Sequence, residues 1–124
     1  MSSALIDTSG WASAFDGQQP CHQAAIAAFK QMRQSNLKII TSNHVIAELV
    51  ALLRSPLRIS RAQIFTTIDT IKTYPHLEII HIDSAIDAAW SLCKAHPDKP
   101  WSLVDCSSFV LILSFNDRPL TVLG

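Results

Sequence analysis

Glycine is scarce in this chain. Its 124 residues hold three, Gly10, Gly17 and Gly124. Neither a G-x-x-x-x-G-K-[ST] loop nor a G-x-G-x-x-G turn can be written anywhere, so nucleotide binding on a glycine-rich cradle is excluded. Net charge is missing too: ten Lys and Arg balance ten Asp and Glu. A polybasic nucleic-acid or membrane-surface binder, which rests on excess positive charge, is thereby disfavoured. A nuclease is not, because its centre needs acids and only local bases around them. Cysteine is sparse and odd in number. Cys21, Cys93 and Cys106 carry no C-x-x-C spacing, which argues against a disulfide framework and a zinc ribbon. At helical positions they read as small core hydrophobes in a reducing compartment. No apolar run approaches the ~20 residues that span a bilayer. Residues 1–7 lack the basic start and apolar stretch of a signal peptide, and the expected location is the cytoplasm.

What is present is apolar. Hydrophobic residues make up 48% and charged residues 16%, enough for a real core and far from a disordered composition. The length suits one domain over residues 1–124. Residues 4–6 form a short apolar run that ends at Asp7, the pattern of a buried strand. Residues 38–41, 77–82 and 120–123 read as three further strands, with β-branched isoleucine concentrated in 77–82. Between them the spacing is helical. Thr8 and Ser9 open a short helix. Pro20 suits the first turn of a second, whose apolar face carries Ala25, Ile26, Phe29 and Met32. Ser42 and Asn43 start a helix that is apolar almost all round, and Ser60-x-x-Gln63 precedes a helix bearing Ile64, Phe65, Ile68 and Ile71. Asp83 caps a helix with Ile86, Ala89, Trp90 and Cys93, and Ser102 opens the last one. Asn116-Asp117-Arg118-Pro119 is a turn. Strands separated by helices imply an α/β fold, a parallel sheet covered on both faces, with ligands bound outside the strands' carboxyl ends.

Three carboxylates stand where such a fold would place a site. Asp7 ends the first strand; it is a good helix N-cap, though Thr8 and Ser9 could cap in its stead. Glu48 is the lone acid of an apolar helix. It therefore needs a base such as Arg54, a metal partner such as His44 one turn earlier, or a wet rim. Asp105 lies three residues after Ser102, the spacing of a capping box, and a helix start near the strand ends is also where an active-site acid is presented. Gathered in one pocket they would repel: two unit charges 4 Å apart at an effective dielectric near 20 cost about 4 kcal/mol. A divalent cation resolves that, and all-oxygen ligation suits Mg²⁺ or Mn²⁺ rather than zinc. A phospho-acceptor role for Asp7 lacks the neighbouring acid pair and strand-end lysine it would need. Trp11, Trp90 and Trp101 read as core or rim aromatics. Arg54, Arg58 and Arg61 form a basic cluster, either a solvated face or a contact for phosphates or a partner.

The segments Leu5-Ile6-Asp7-Thr8-Ser9, Ser42 to Glu48, and Trp101-Ser102-Leu103-Val104-Asp105-Cys106-Ser107-Ser108-Phe109 resemble, in order and spacing, the successive motifs of the PIN-domain ribonucleases. VapC-type toxins match best in size. The resemblance spans nearly the whole chain and implies a three-layer α/β/α sandwich with a central parallel sheet. It also implies a Mg²⁺- or Mn²⁺-dependent endoribonuclease with Asp7, Glu48 and Asp105 as metal-holding acids, and Ser9, with Thr8, as supporting hydroxyls. An RNA substrate, a cognate antitoxin and a homodimer follow as expected partners.

Two departures stand out. Val104 occupies the position before the third acid where the family often has Thr. A fourth acid and a fifth strand usually follow the last motif, commonly within T-x-D-x-x-F, whereas Gly124 directly follows the run 120–123 and Asp117 precedes it. The expectation is a site of three acids, or a chain truncated before the fourth. The alternative function is a catalytically impaired PIN-like module that binds RNA or protein without cutting.

Overall fold

Every position of β1 (Ser3–Ile6) is buried, because in a parallel sheet with both faces covered neither side of the strand meets water. The computed structural model describes residues 2–83, 86–115 and 120–124. β1 pairs in parallel with β2 (Lys38–Ser42) on one side and β4 (Leu120–Leu123) on the other, and β2 pairs in parallel with β3 (Leu77–Ile80). The strand order is β3-β2-β1-β4. Chain order thus reverses direction across β1, and the crevice beyond its carboxyl end, between β1 and β4, is the topological switch point.

Six helices fill the connections: α1 (Thr8–Phe15), α2 (His22–Gln34), α3 (Asn43–Arg54), α4 (Arg61–Lys72), α5 (Ile86–Ala95) and α6 (Leu103–Leu113). Strand alternation splits the core in two. Ala4, Ile6 and Ile39 face a larger core with Trp11, Phe29, Val45, Leu49 and Ile71. Leu5 and Ile40 face a smaller one with Ile82, Leu111 and Phe115. The first core is the work of α1 to α4, the second of α6 and the chain after β3. This is the α/β/α sandwich with a central parallel sheet expected from the sequence.

Polar contacts pin the strand ends. Trp11, fully buried, donates its indole N–H to Thr41 Oγ1 at 3.1 Å, and Thr41 donates to the Ile6 carbonyl at 3.0 Å. Ser42 caps α3 by accepting from the Val45 N–H at 3.1 Å, and Ser60 caps α4 by accepting from that of Gln63 at 3.2 Å.

Several expectations need correction. β3 stops at Ile80 rather than reaching 82, because the Ile82 N–H donates to the Asn43 side chain at 3.0 Å instead of continuing the ladder. Helix α3, apolar almost all round, is not buried all round: Val50 is exposed, as are Ala47 and Ala51. On α2 the buried stripe is Ala25, Phe29 and Met32, with Ile26 left outside. Phe65 is 55% exposed and lies under the Arg61 guanidinium, 5.2 Å from its ring centroid. Cys21 is exposed, not core; Cys93 is half-buried and Cys106 fully buried. Trp90 is also exposed, whereas Trp101 packs edge-on against Phe109. The 116–119 turn lies outside the described residues, as do the two positions after Asp83.

Candidate active site

The three acids reach one cleft from three different elements. Asp7 follows β1 directly, Glu48 lies midway along α3, and Asp105 occupies the first turn of α6. With Thr8, Ser9 and Ser55 they line a cleft of about 380 Å³ at the carboxyl end of β1, with Ala51 and Leu52 completing its α3 wall. Asp7, Glu48 and Asp105 are each half-buried. Glu48 therefore meets its need for water at a rim, and it is not paired with Arg54: the ion pairs among the described residues are Lys38–Glu78 and Lys99–Asp98.

Each acid is fixed through one oxygen. Asp7 is the N-cap of α1, and its Oδ1 accepts from the Thr8 N–H at 2.9 Å and from the Ser108 hydroxyl at 3.3 Å. Glu48 Oε2 accepts from the Ser102 hydroxyl at 3.3 Å. Asp105 Oδ2 accepts from the Ser102 N–H at 2.9 Å, while Ser102 Oγ accepts from the Asp105 N–H at 3.0 Å, a complete capping box. Capping and presentation to the cleft coexist at both aspartates. The other oxygens, Asp7 Oδ2, Glu48 Oε1 and Asp105 Oδ1, have no protein donor among the described residues. In the same wall the Thr8 hydroxyl is buried without a partner.

Electrostatics agree with this geometry. Burial pushes Asp7 above its ordinary carboxyl pKa, and the negative charges of Asp105 and Glu48 push it further. The bonds from Thr8 and Ser108 oppose the rise. Among the described residues no three His, Cys, Asp or Glu side chains close on a point tightly enough to chelate one ion. The donors lining the cleft are carboxylate and hydroxyl oxygens, the type a hard divalent cation takes, and they do not form a closed all-protein cage. His44 is half-buried and is not in the wall of the cleft.

Ser9 lines the cleft from an exposed position, and Val104, where the resemblance favours a hydroxyl, packs against the larger core. The arginines stand apart. Arg54, Arg58 and Arg61 are exposed and outside the cleft lining, although Arg54 adjoins its wall residue Ser55. Two contributors went unassigned in the sequence reading. Ser108 lies one turn beyond Asp105 on the same face of α6, a spacing that could have flagged it. Gly124 packs beside Asp7: a Cβ there would come within 2.7 Å of the Asp7 Cβ. That proximity follows from the register of Ile6 with Leu123, which no local pattern encodes.

No protein-family model and no curated protein matches the chain. Among solved structures it is similar to Mycobacterium tuberculosis VapC20, a toxin that cleaves the sarcin-ricin loop. The two share 23% sequence identity and a TM-score of 0.77, over 98% of this chain and 90% of that one. At that identity the likeness speaks for architecture, and it agrees with the strand order and layers described above: the chain has a PIN-like fold.

Proposed function

We propose that this protein is a divalent-metal-dependent endoribonuclease, the toxin of a toxin–antitoxin pair. One observation carries the reading: three carboxylates from separate elements line a single cleft at the switch point, each with an oxygen that no protein donor reaches among the described residues. Asp7, Glu48 and Asp105 would hold Mg²⁺ or Mn²⁺, which supplies an activated water and neutralises charge developing on a phosphodiester. Ser9 and Thr8 offer hydroxyls to the same cluster. RNA is the substrate class of this reading, which the shared fold with a sarcin-ricin loop cleaving toxin supports. Arg54, Arg58 and Arg61 would contact phosphates, or the partner protein, beside the α3 wall. A cognate antitoxin covering the cleft and a homodimer complete the proposal, in the cytoplasm. No helix among the described residues is long and apolar enough to cross a membrane.

The test is RNA cleavage with Mg²⁺ or Mn²⁺ by the wild type and Asp7→Asn. Loss in the variant is expected, and equal activity removes the metal site. The absence of a ready-made three-ligand cluster among the described residues favours a second reading, a PIN-like module that binds RNA or protein without cutting. Calorimetric titration separates them: Mn²⁺ binding abolished by Glu48→Gln supports the enzyme, and no binding by the wild type supports the module.

A further inference from the structure

We infer that Ser102 is a positioning residue whose single hydroxyl sets the spacing of two acids carried on opposite layers of the sandwich. This rests on the metal-site reading of the cleft. Glu48 belongs to α3, which packs in the larger core, and Asp105 to α6, whose Leu111 packs in the smaller one. Two like charges facing one cleft repel, and a side chain bonded to both restrains their separation. Ser102 is such a tie. Its Oγ donates to Glu48 Oε2 at 3.3 Å and accepts from the Asp105 N–H at 3.0 Å. Its own N–H donates to Asp105 Oδ2 at 2.9 Å.

A hydroxyl has one hydrogen and two lone pairs, so both roles are filled at once without competition. The carbonyl is occupied as well, accepting from the Cys106 N–H at 3.1 Å and the Cys93 thiol at 3.7 Å, which leaves the residue little freedom to turn. An ordinary N-cap needs only the lone pair. The hydrogen, directed at Glu48, is the part of this cap that helix formation does not explain. Both bonds to the acids use one oxygen of each, so Glu48 Oε1 and Asp105 Oδ1 remain for a cation. The tie acts on the metal through its ligands, as partners of ligating side chains do when they orient them and raise affinity about 10- to 100-fold.

Ser60 is the natural control. It caps α4 through the same lone-pair contact, accepting from the Gln63 N–H at 3.2 Å, and it touches no acid of the cleft. We would measure Mn²⁺ affinity by calorimetry and unfolding by urea for Ser102→Ala, Ser102→Thr and Ser60→Ala. Ser102→Gly serves as a further variant, since glycine is a tolerated N-cap that removes only the hydroxyl. The expected result is a loss of Mn²⁺ affinity of about tenfold in Ser102→Ala and Ser102→Gly. Ser102→Thr should restore it, and Ser60→Ala should lose stability with affinity unchanged. Wild-type affinity in both Ser102→Ala and Ser102→Gly would overturn the proposal.

A metal-free double-mutant cycle separates this outcome from failure of the metal reading itself. Ser102→Ala and Glu48→Gln should be non-additive in stability, whereas Ser60→Ala and Glu48→Gln should add. If the wild type binds no Mn²⁺, the metal reading falls and the cycle alone decides the tie: additivity at Ser102 refutes it.

Discussion

Ser108, buried in α6, donates its hydroxyl to Asp7 Oδ1 at 3.3 Å and so joins two residues 101 positions apart in the chain. The bond opposes the burial that raises the Asp7 pKa. Replacing Ser108 with Ala removes a donor that favours the charged carboxylate, so the Asp7 midpoint should move further up. Carboxyl-carbon NMR titration of the metal-free protein reads this directly. An unmoved midpoint would show that the hydroxyl does not serve Asp7.

The raised Asp7 pKa also has a sign for stability. A carboxyl whose folded pKa exceeds its unfolded value binds its proton more tightly when folded. Its contribution is present below the unfolded pKa and lost as pH rises through the folded one. Ionised Asp7 therefore opposes folding at neutral pH when no cation is bound. Asp7→Asn, which still caps α1 well, should melt above the wild type at pH 7 in chelator, and the gap should close below about pH 4. Mg²⁺ at about 100 times its dissociation constant should then stabilise the wild type by about 2.7 kcal/mol and leave the variant unmoved. Thermal melts with and without Mg²⁺ check both halves. A variant that melts lower in chelator contradicts the sign.

How much of this was legible in the chain follows from the range of each interaction. Asp7, Glu48 and Asp105 stood out because an acid after a buried strand, or within an apolar helix, conflicts with its surroundings and needs a reason. The Ser102–Asp105 capping box was legible because it is local, three residues long. Ser108 and Gly124 were not assigned, because their partner Asp7 is reached only through the sheet register and the packing of α6. The same limit explains the misplaced apolar faces. Ile26 fits a helical stripe equally well inside or outside, and only the position of α2 against α1 decides which side Ala25 and Phe29 take. Phe65 keeps the helical step of Ile64, Ile68 and Ile71, and that step alone does not say that it stays 55% exposed beneath the Arg61 guanidinium.

Gly10 tests whether β4 must dock tightly behind the cleft. A Cβ on Gly10 would meet the Leu123 carbonyl oxygen at 2.6 Å, a backbone atom that cannot swing aside. The same carbonyl accepts the Asp7 N–H at 2.8 Å. Gly10→Ala should therefore cost about 1–3 kcal/mol, as overpacking does, and disturb Asp7 with it. Gly17→Ala is the control: its nearest neighbour, His22 Nε2, is 4.0 Å away. It should stay within about 0.5 kcal/mol of the wild type. Urea unfolding of the two variants makes the comparison, and equal stabilities would show that β4 yields.

Thr41 carries the next prediction. Its hydroxyl is wholly buried, accepting from the Trp11 indole and donating to the Ile6 carbonyl one residue before Asp7. Thr41→Val keeps the shape and leaves the Trp11 N–H and the Ile6 carbonyl without this partner. A loss of about 1–3 kcal/mol is expected for each buried group left unsatisfied. Trp11→Phe, which removes the donor but leaves Thr41 bonded to Ile6, should retain more of that hydrogen-bond network. Denaturation of the single and double variants gives the coupling, and strict additivity would argue against a shared chain of bonds.

Arg54, Arg58 and Arg61 separate substrate contact from metal chemistry, because all three are exposed and outside the acid cleft. If each neutralises one phosphate of a single strand, the slope of log affinity against log salt should fall by about 2 when all three become Gln, at ~0.7 per contact. RNA binding should weaken similarly across sequences, since phosphate contacts carry no base readout. Mn²⁺ affinity should be unaltered, as the acids and their hydroxyl partners are untouched. Filter binding over a range of salt, beside calorimetry with Mn²⁺, reads the two terms separately. An unchanged salt slope would assign the cluster to a solvated face or to a protein partner.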